Sequence, residues 1–351
     1  MTKIFIHIGM HKTGTTTIQH ALREANASAG AKEGWDYIAK PLATKNLMHA
    51  QAYDENLVKE FSEDLNKKVS QSGKSLIKII SSEGLSGLPT DGYMNSGVVA
   101  TMLRDATRKY DVKIIIYLRR QDDMAESMYT QKIHEGNSLE FEEFIPQLTS
   151  GLSYNYSRIL QDWVSCFGKE NVIVNSYHAA AQRGLLKDFG EIIGSAGILN
   201  SKPERRNPSY SYDAIKIARI ANASLDESSK RRLRRALQKT MAKQKSKAHA
   251  LFSEDGRKEF LDKYKDSNQE VTDMFFNVAV ENVFPEPERN FSEVEGGAHK
   301  KCIAYEEVCP LVVELSKTET ETAVGLIAGA RVAISGYPRL KMLLRKILGR
   351  G

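Results

Sequence analysis

The chain has 351 residues, with 50 Lys and Arg against 44 Asp and Glu, and is 41% hydrophobic and 27% charged. These proportions exclude a disordered, collagen-like or disulfide-scaffold protein, and the length suits roughly two domains or one large α/β domain. The net charge of +6 permits an anionic partner without specifying one.

The segment Lys3 to Ile8, KIFIHI, reads as a buried strand, followed by glycine punctuation at Gly9 and Gly14 and a helix from Thr15 to Ala27. Further strands are predicted at Leu76–Ile80, Val112–Leu118 (VKIIIYL) and Asn171–Asn175. The second of these is almost wholly apolar, as a central parallel strand tends to be. Helices are predicted over Val98–Tyr110, Asp122–His134, Tyr156–Phe167 (closed by Gly168) and Leu185–Ile193. Such alternation predicts an α/β fold, a mostly parallel central sheet flanked by helices on both faces. Beyond Lys202 strand signals fade into charged helical sequence. Residues 228–247 hold nine Lys or Arg and no acid, a solvated helix face or a surface for an anionic acceptor. They contain no aromatic residue, which argues against nucleic acid. Pro285 to Gly297 reads as a linker. The tail 338–350 is basic and amphipathic, suited to packing on the protein or to a peripheral membrane contact.

No apolar run reaches the ~18 residues that span a bilayer. The best candidate, Ala323 to Tyr337, is broken by Arg331, and the N-terminal apolar stretch is short for a signal peptide. Three cysteines, Cys166, Cys302 and Cys309, form no disulfide framework and show no metal-ligand spacing. The expectation is a cytoplasmic protein, bacterial in type, peripheral at most at the inner membrane face.

The sharpest signal is Gly9-Met10-His11-Lys12-Thr13-Gly14-Thr15-Thr16-Thr17, between a strand and a helix. Such a turn gathers backbone N–H groups at a helix N-terminus and makes an anion site suited to phosphate. Lys12 adds a full charge and the threonines add hydroxyls. The nucleotide-triphosphatase pattern GxxxxGK[ST] wants lysine after the second glycine, where this chain has Thr15. A second cluster follows the strand VKIIIYL: Arg119, Asp123 and Ser127 stand four residues apart, and Arg119 offers a bidentate fork for phosphate. Asp123 and Ser127 share one helix face.

On these residues the chain resembles sulfotransferases that use 3′-phosphoadenosine 5′-phosphosulfate (PAPS). Lys12-Thr13-Gly14-Thr15-Thr16 is similar to their 5′-phosphosulfate loop, commonly PK[ST]GTTW, with His11 for the proline and Thr17 for the tryptophan. Arg119, Asp123 and Ser127 are similar to their 3′-phosphate motif RxxxDxxxS, and the departures resemble a bacterial, carbohydrate- or glycolipid-type branch. The resemblance implies a P-loop fold, PAPS as co-substrate and no metal. It implies binding by Lys12, Thr13, Gly14, Thr15, Thr16, Thr17, Arg119 and Ser127, with Lys12 on the bridging oxygen and sulfonate. Arg205 and Arg206 fall where the family closes a loop over the nucleotide; a solvated turn fits them equally.

The reaction needs a base for the acceptor hydroxyl. Glu83 follows the second predicted strand and belongs at the same sheet edge as Lys12; glycan sulfotransferases use a glutamate at a similar place. His11, inside the loop, competes for the role, and an acid for magnesium or a plain surface carboxylate are other readings of Glu83. His7 reads as core. The expected organisation is a sulfotransferase core over 1–200, a helical part over 201–284 completing it, and a linker with a helical C-terminal addition over 285–351. The acceptor is expected to be a glycan or glycolipid. An ATP–magnesium kinase or nucleotidase and a non-catalytic glycan-binding protein stay as alternatives.

Overall fold

A computed structural model describes residues 1–28, 34–149, 153–195, 210, 212–223, 225–240 and 250–286. Five strands form one sheet: β1 (Lys3–His7), β2 (Trp35–Tyr37), β3 (Ile77–Ser81), β4 (Asp111–Leu118) and β5 (Val172–Ser176). Their order is β2-β3-β1-β4-β5, and every neighbouring pair is parallel. The expected α/β architecture is thus present, with parallel pairing throughout. β2 escapes sequence reading because it is three residues long and its Asp36 looks wrong for a strand. Lys78 of β3 neutralises that carboxylate in a buried pair at 2.6 Å.

The helices among the described residues are α1 (Thr15–Ser28), α2 (Thr44–His49), α3 (Glu55–Gln71), α4 (Ser96–Ala106), α5 (Gln121–His134), α6 (Phe141–Leu148), α7 (Tyr156–Phe167), α8 (Tyr177–Arg183) and α9 (Leu185–Ile192). There follow α10 (Tyr212–Asn222), α11 (Glu227–Thr240), α12 (Glu254–Asp262), α13 (Lys265–Phe275) and α14 (Val280–Val283). The helix expected over Val98–Tyr110 starts and stops earlier. It ends where Thr107 turns its hydroxyl back onto the Leu103 carbonyl at 2.7 Å, competing with helix continuation.

The chain forms two compact units. The first comprises Met1–Met124, Pro146–Glu204 and Leu261–Glu286, and holds the sheet. Alternation along the strands sends Phe5, Ile79, Ile115 and Tyr117 to one face. There they pack with Ile18, Leu22, Leu186 and Phe189 of α1 and α9. Ile4, Ile6, Ile80, Ile114 and Ile116 fill the opposite face, toward which α7 packs. The second unit comprises Ala125–Ile145 and the described part of Arg205–Phe260. Its core is aromatic: Tyr129, Phe141 and Phe252 meet edge to face, and Asn222 Nδ2 donates to the Ile133 and Asn137 carbonyls at 2.8 Å each. In α11, Leu233 and Leu237 are buried while Arg231 and Arg235 face solvent. No helix among the described residues is long and apolar enough to cross a membrane.

Candidate active site

β1 lies between β3 and β4, so the segments leaving all three strands meet above the carboxyl end of the sheet, where open parallel sheets bind ligands. The strands end at different heights. His7 is level with Ser81 of β3 and with Ile115 of β4, but β4 runs on to Leu118. That overhang carries Arg119 up to the level of the turn that follows β1.

The turn itself is built from left-handed backbone. Gly9, Lys12 and Gly14 have φ of 52°, 66° and 81°. A methyl group at Gly9 would sit 2.6 Å from Thr15 Oγ1, so only glycine fits that approach. Thr13 Oγ1 donates to the Met10 carbonyl at 2.5 Å and closes the turn. The Gly14 carbonyl accepts from Thr17 and Ile18 at 2.9 and 3.2 Å, which makes Gly14 the residue that starts α1. The amides of Thr15 and Thr16 therefore open the helix with no intrahelical acceptor, at its positive end. Thr15 Oγ1 is buried and has no hydrogen-bond partner among the described residues. An orphaned hydroxyl beneath a ring of amides fits a multiply charged oxyanion such as phosphate.

Arg119 closes the site from β4. Its Nη1 donates to the Lys12 carbonyl at 3.0 Å, and its guanidinium lies 5.5 Å from the ring of Tyr177, which begins α8 just beyond β5. The carbonyl of Arg119 accepts from the buried Tyr156 hydroxyl at 2.6 Å. The neighbouring Arg120 is spent on structure, forking onto Asp122 at 2.7 and 2.8 Å. Asp123 meets His178 Nε2 at 3.2 Å.

Glu83 enters from β3. Ser82 N donates to the His7 carbonyl at 2.9 Å, extending the pairing by one residue and fixing where Glu83 emerges. Gln19, just over one turn into α1, donates to Glu83 Oε2 at 3.1 Å and to the Ser81 carbonyl at 3.2 Å. The carboxylate is thus positioned by the same helix whose first turn faces the loop.

His11 is bound twice by one phenol. The Tyr93 oxygen lies 3.0 Å from the His11 amide nitrogen and 3.1 Å from its Nδ1. Burial lowers the His11 pKa from 6.5 to about 4, against the pull of the nearby Glu83 charge and with the push of Lys12. Tyr93 is fully buried and itself left-handed, with φ of 65°, and packs edge-on against Tyr154.

Below the loop, His7 is inaccessible to solvent, with Nδ1 2.9 Å from Ser81 Oγ and its ring against Tyr117 and Phe189. Burial drops its pKa from 6.5 to about 3. A neutral native histidine stabilises the fold above pH 6.5, and that contribution is lost as the pH falls toward the native value, by about 1.4 kcal/mol per pH unit for a group so deeply buried. Urea midpoints should therefore fall steadily between pH 6.5 and pH 5. His7→Asn, which keeps an amide near the Nδ1 position and does not titrate, should lessen that slope, with His11 and His178, both lowered by burial to about 4, supplying the remainder; an equally steep slope in the variant would rule His7 out as a source.

Of the residues singled out in the sequence, Lys12, Thr13, Gly14, Thr15, Thr16, Thr17, His11, Glu83 and Arg119 gather at this one edge. Ser127 is half-buried on α5 and belongs to the second unit. Arg205, Arg206 and the tail 338–350 lie outside the described residues. Gln19, Tyr93 and Tyr177 complete the site and carried no local signal, although Gln19 stands four residues after Thr15 and so shares its helix face.

No family model matches the chain. An uncharacterized protein of Archaeoglobus fulgidus is 26% identical over 219 residues, which is 59% of this chain and 58% of that protein. The chain therefore spans less than two thirds of the length of this relative. A solved sulfotransferase from Alicyclobacillus acidocaldarius aligns with 65% of this chain and 98% of its own at 18% identity, with a TM-score of 0.38. That likeness is too slight to bear on fold or activity.

Proposed function

We propose that this chain is a sulfotransferase that moves the sulfonate of PAPS to a hydroxyl of a carbohydrate or glycolipid. The observation that carries this reading is the 3.0 Å bond from Arg119 to the Lys12 carbonyl, because it joins the two phosphate motifs at one edge. A site with a helix N-terminus, a lysine and an arginine fork suits a nucleotide with phosphate at two positions. The orphaned Thr15 hydroxyl supports an oxyanion at the loop.

In this reading Glu83 takes the proton of the acceptor hydroxyl. The acceptor oxygen bonds to sulfur, and the bond from sulfur to the bridging 5′-phosphate oxygen breaks. The electron pair stays on the phosphate, where Lys12 and the loop amides meet the developing charge. The products are a sulfate ester and adenosine 3′,5′-bisphosphate, and the proton balance needs no metal.

Metal-free adenosine 3′,5′-bisphosphate at about 100 times its Kd should stabilise the fold by about 2.7 kcal/mol. Arg119→Ala should weaken that ligand by about 10- to 100-fold, the worth of a charge-assisted contact, and AMP far less. Equal losses would remove Arg119 from the 3′-phosphate. Stabilisation by ATP–magnesium alone would favour the kinase alternative. Labelled sulfonate passing from PAPS to glycan or glycolipid fractions tests the reaction itself.

A further inference from the structure

We infer that Tyr93 is a positioning residue that holds His11 in the tautomer with hydrogen on Nε2, making His11 a hydrogen-bond donor at the site rather than its base. For the partner of that donor, the inference rests on the sulfonate-transfer reading. The tautomer follows from contacts within the protein.

The Tyr93 hydroxyl is buried and its described neighbours for hydrogen bonding are the His11 amide and His11 Nδ1. The amide can only donate, so the phenol oxygen accepts from it. A buried phenol must place its own hydrogen somewhere, and Nδ1 is the acceptor within reach at 3.1 Å. Nδ1 is then an acceptor, and the hydrogen of the neutral ring resides on Nε2. Among the described residues that nitrogen has no hydrogen-bond partner, and the His11 side chain is only partly buried. The ring is neutral at working pH because burial outweighs the attraction of Glu83, with Lys12 acting in the same sense as burial. Tyr93 is expected to stay neutral as well, since burial raises its pKa.

The arrangement is overdetermined by backbone. Lys12, directly after His11, and Tyr93 both hold left-handed φ angles, at 66° and 65°, a conformation that costs a non-glycine residue of order 1–3 kcal/mol. Tyr93 is held there by Tyr154 and by its own amide, which donates to the Leu88 carbonyl at 3.0 Å. A ring nitrogen fixed beside Lys12 is placed to donate to a bound anionic oxygen. The proton-accepting role falls to Glu83, which approaches from the neighbouring strand and is oriented by Gln19.

Two measurements test this. In ring-¹⁵N-labelled protein at pH 7, the signals that vanish in His11→Gln should show hydrogen on Nε2, and in Tyr93→Phe the same signals should shift toward a mixture of tautomers. A hydrogen on Nδ1 in the wild type, or no change in Tyr93→Phe, would overturn the inference. Side-chain isosteres read the role. His11→Gln places an amide donor near Nε2 and cannot act as a base, whereas His11→Asn occupies the Nδ1 side and removes the outer donor. Transfer should stay within about tenfold in the first and fall about 10²- to 10³-fold in the second and in His11→Ala, as for loss of one preorganised donor. Three equally inactive variants would overturn the donor role. Absence of transfer by the wild type would overturn the sulfonate reading alone, because the ring spectrum reports without turnover.

Discussion

Lys12→Ala should lower sulfonate transfer by about 10²- to 10³-fold while the protein stays folded. The size follows from removing one preorganised positive donor from a site where negative charge accumulates on the leaving phosphate, about 3–4 kcal/mol of barrier. The substitution keeps the backbone features that shape the loop at Lys12. Its carbonyl takes the Arg119 bond, and its backbone is left-handed with φ of 66° whichever non-glycine residue stands there. Alanine bears the same conformational cost as lysine. Single-turnover transfer and a thermal melt, measured together, decide the matter. A rate within tenfold of wild type would show that Lys12 does not meet the developing charge.

Glu83→Gln should cost about 10²- to 10⁴-fold in transfer, the usual span for loss of a positioned base. Binding of adenosine 3′,5′-bisphosphate should hold or tighten, since one negative charge leaves the neighbourhood of an anion. The substitution preserves shape: the new amide oxygen can still accept from Gln19, which donates to Glu83 Oε2 at 3.1 Å in the native chain. Retained turnover would displace Glu83 from the role of base. Turnover lost together with nucleotide binding would mark it as an architectural residue.

Much of this site was legible in one dimension because its parts sit immediately after buried parallel strands, and such strands announce themselves. KIFIHI and VKIIIYL are unbroken apolar runs, and the residues after them, from Gly9 to Thr17 and at Arg119, inherit a known position at the sheet edge. Glu83 was legible for the same reason. β2 was hidden by its length and by an aspartate whose partner, Lys78, is 42 residues away. Tyr93 and Gln19 were hidden by distance as well: they meet His11 and Glu83 across 82 and 64 residues. Nothing in LSGLPTDGYMN marks its tyrosine as a histidine partner, because the contact depends on where a left-handed turn aims the ring.

Three non-glycine residues among those described hold left-handed backbone, and they are joined in space: Lys12 adjoins His11, His11 bonds to Tyr93, and Tyr93 packs on Tyr154. At each of these positions the left-handed backbone costs about 1–2 kcal/mol, and at Tyr93 and Tyr154 the burial of the ring outweighs that cost. Backbone strain is thus strung along one path that leads from the candidate loop through His11 to the buried tyrosines.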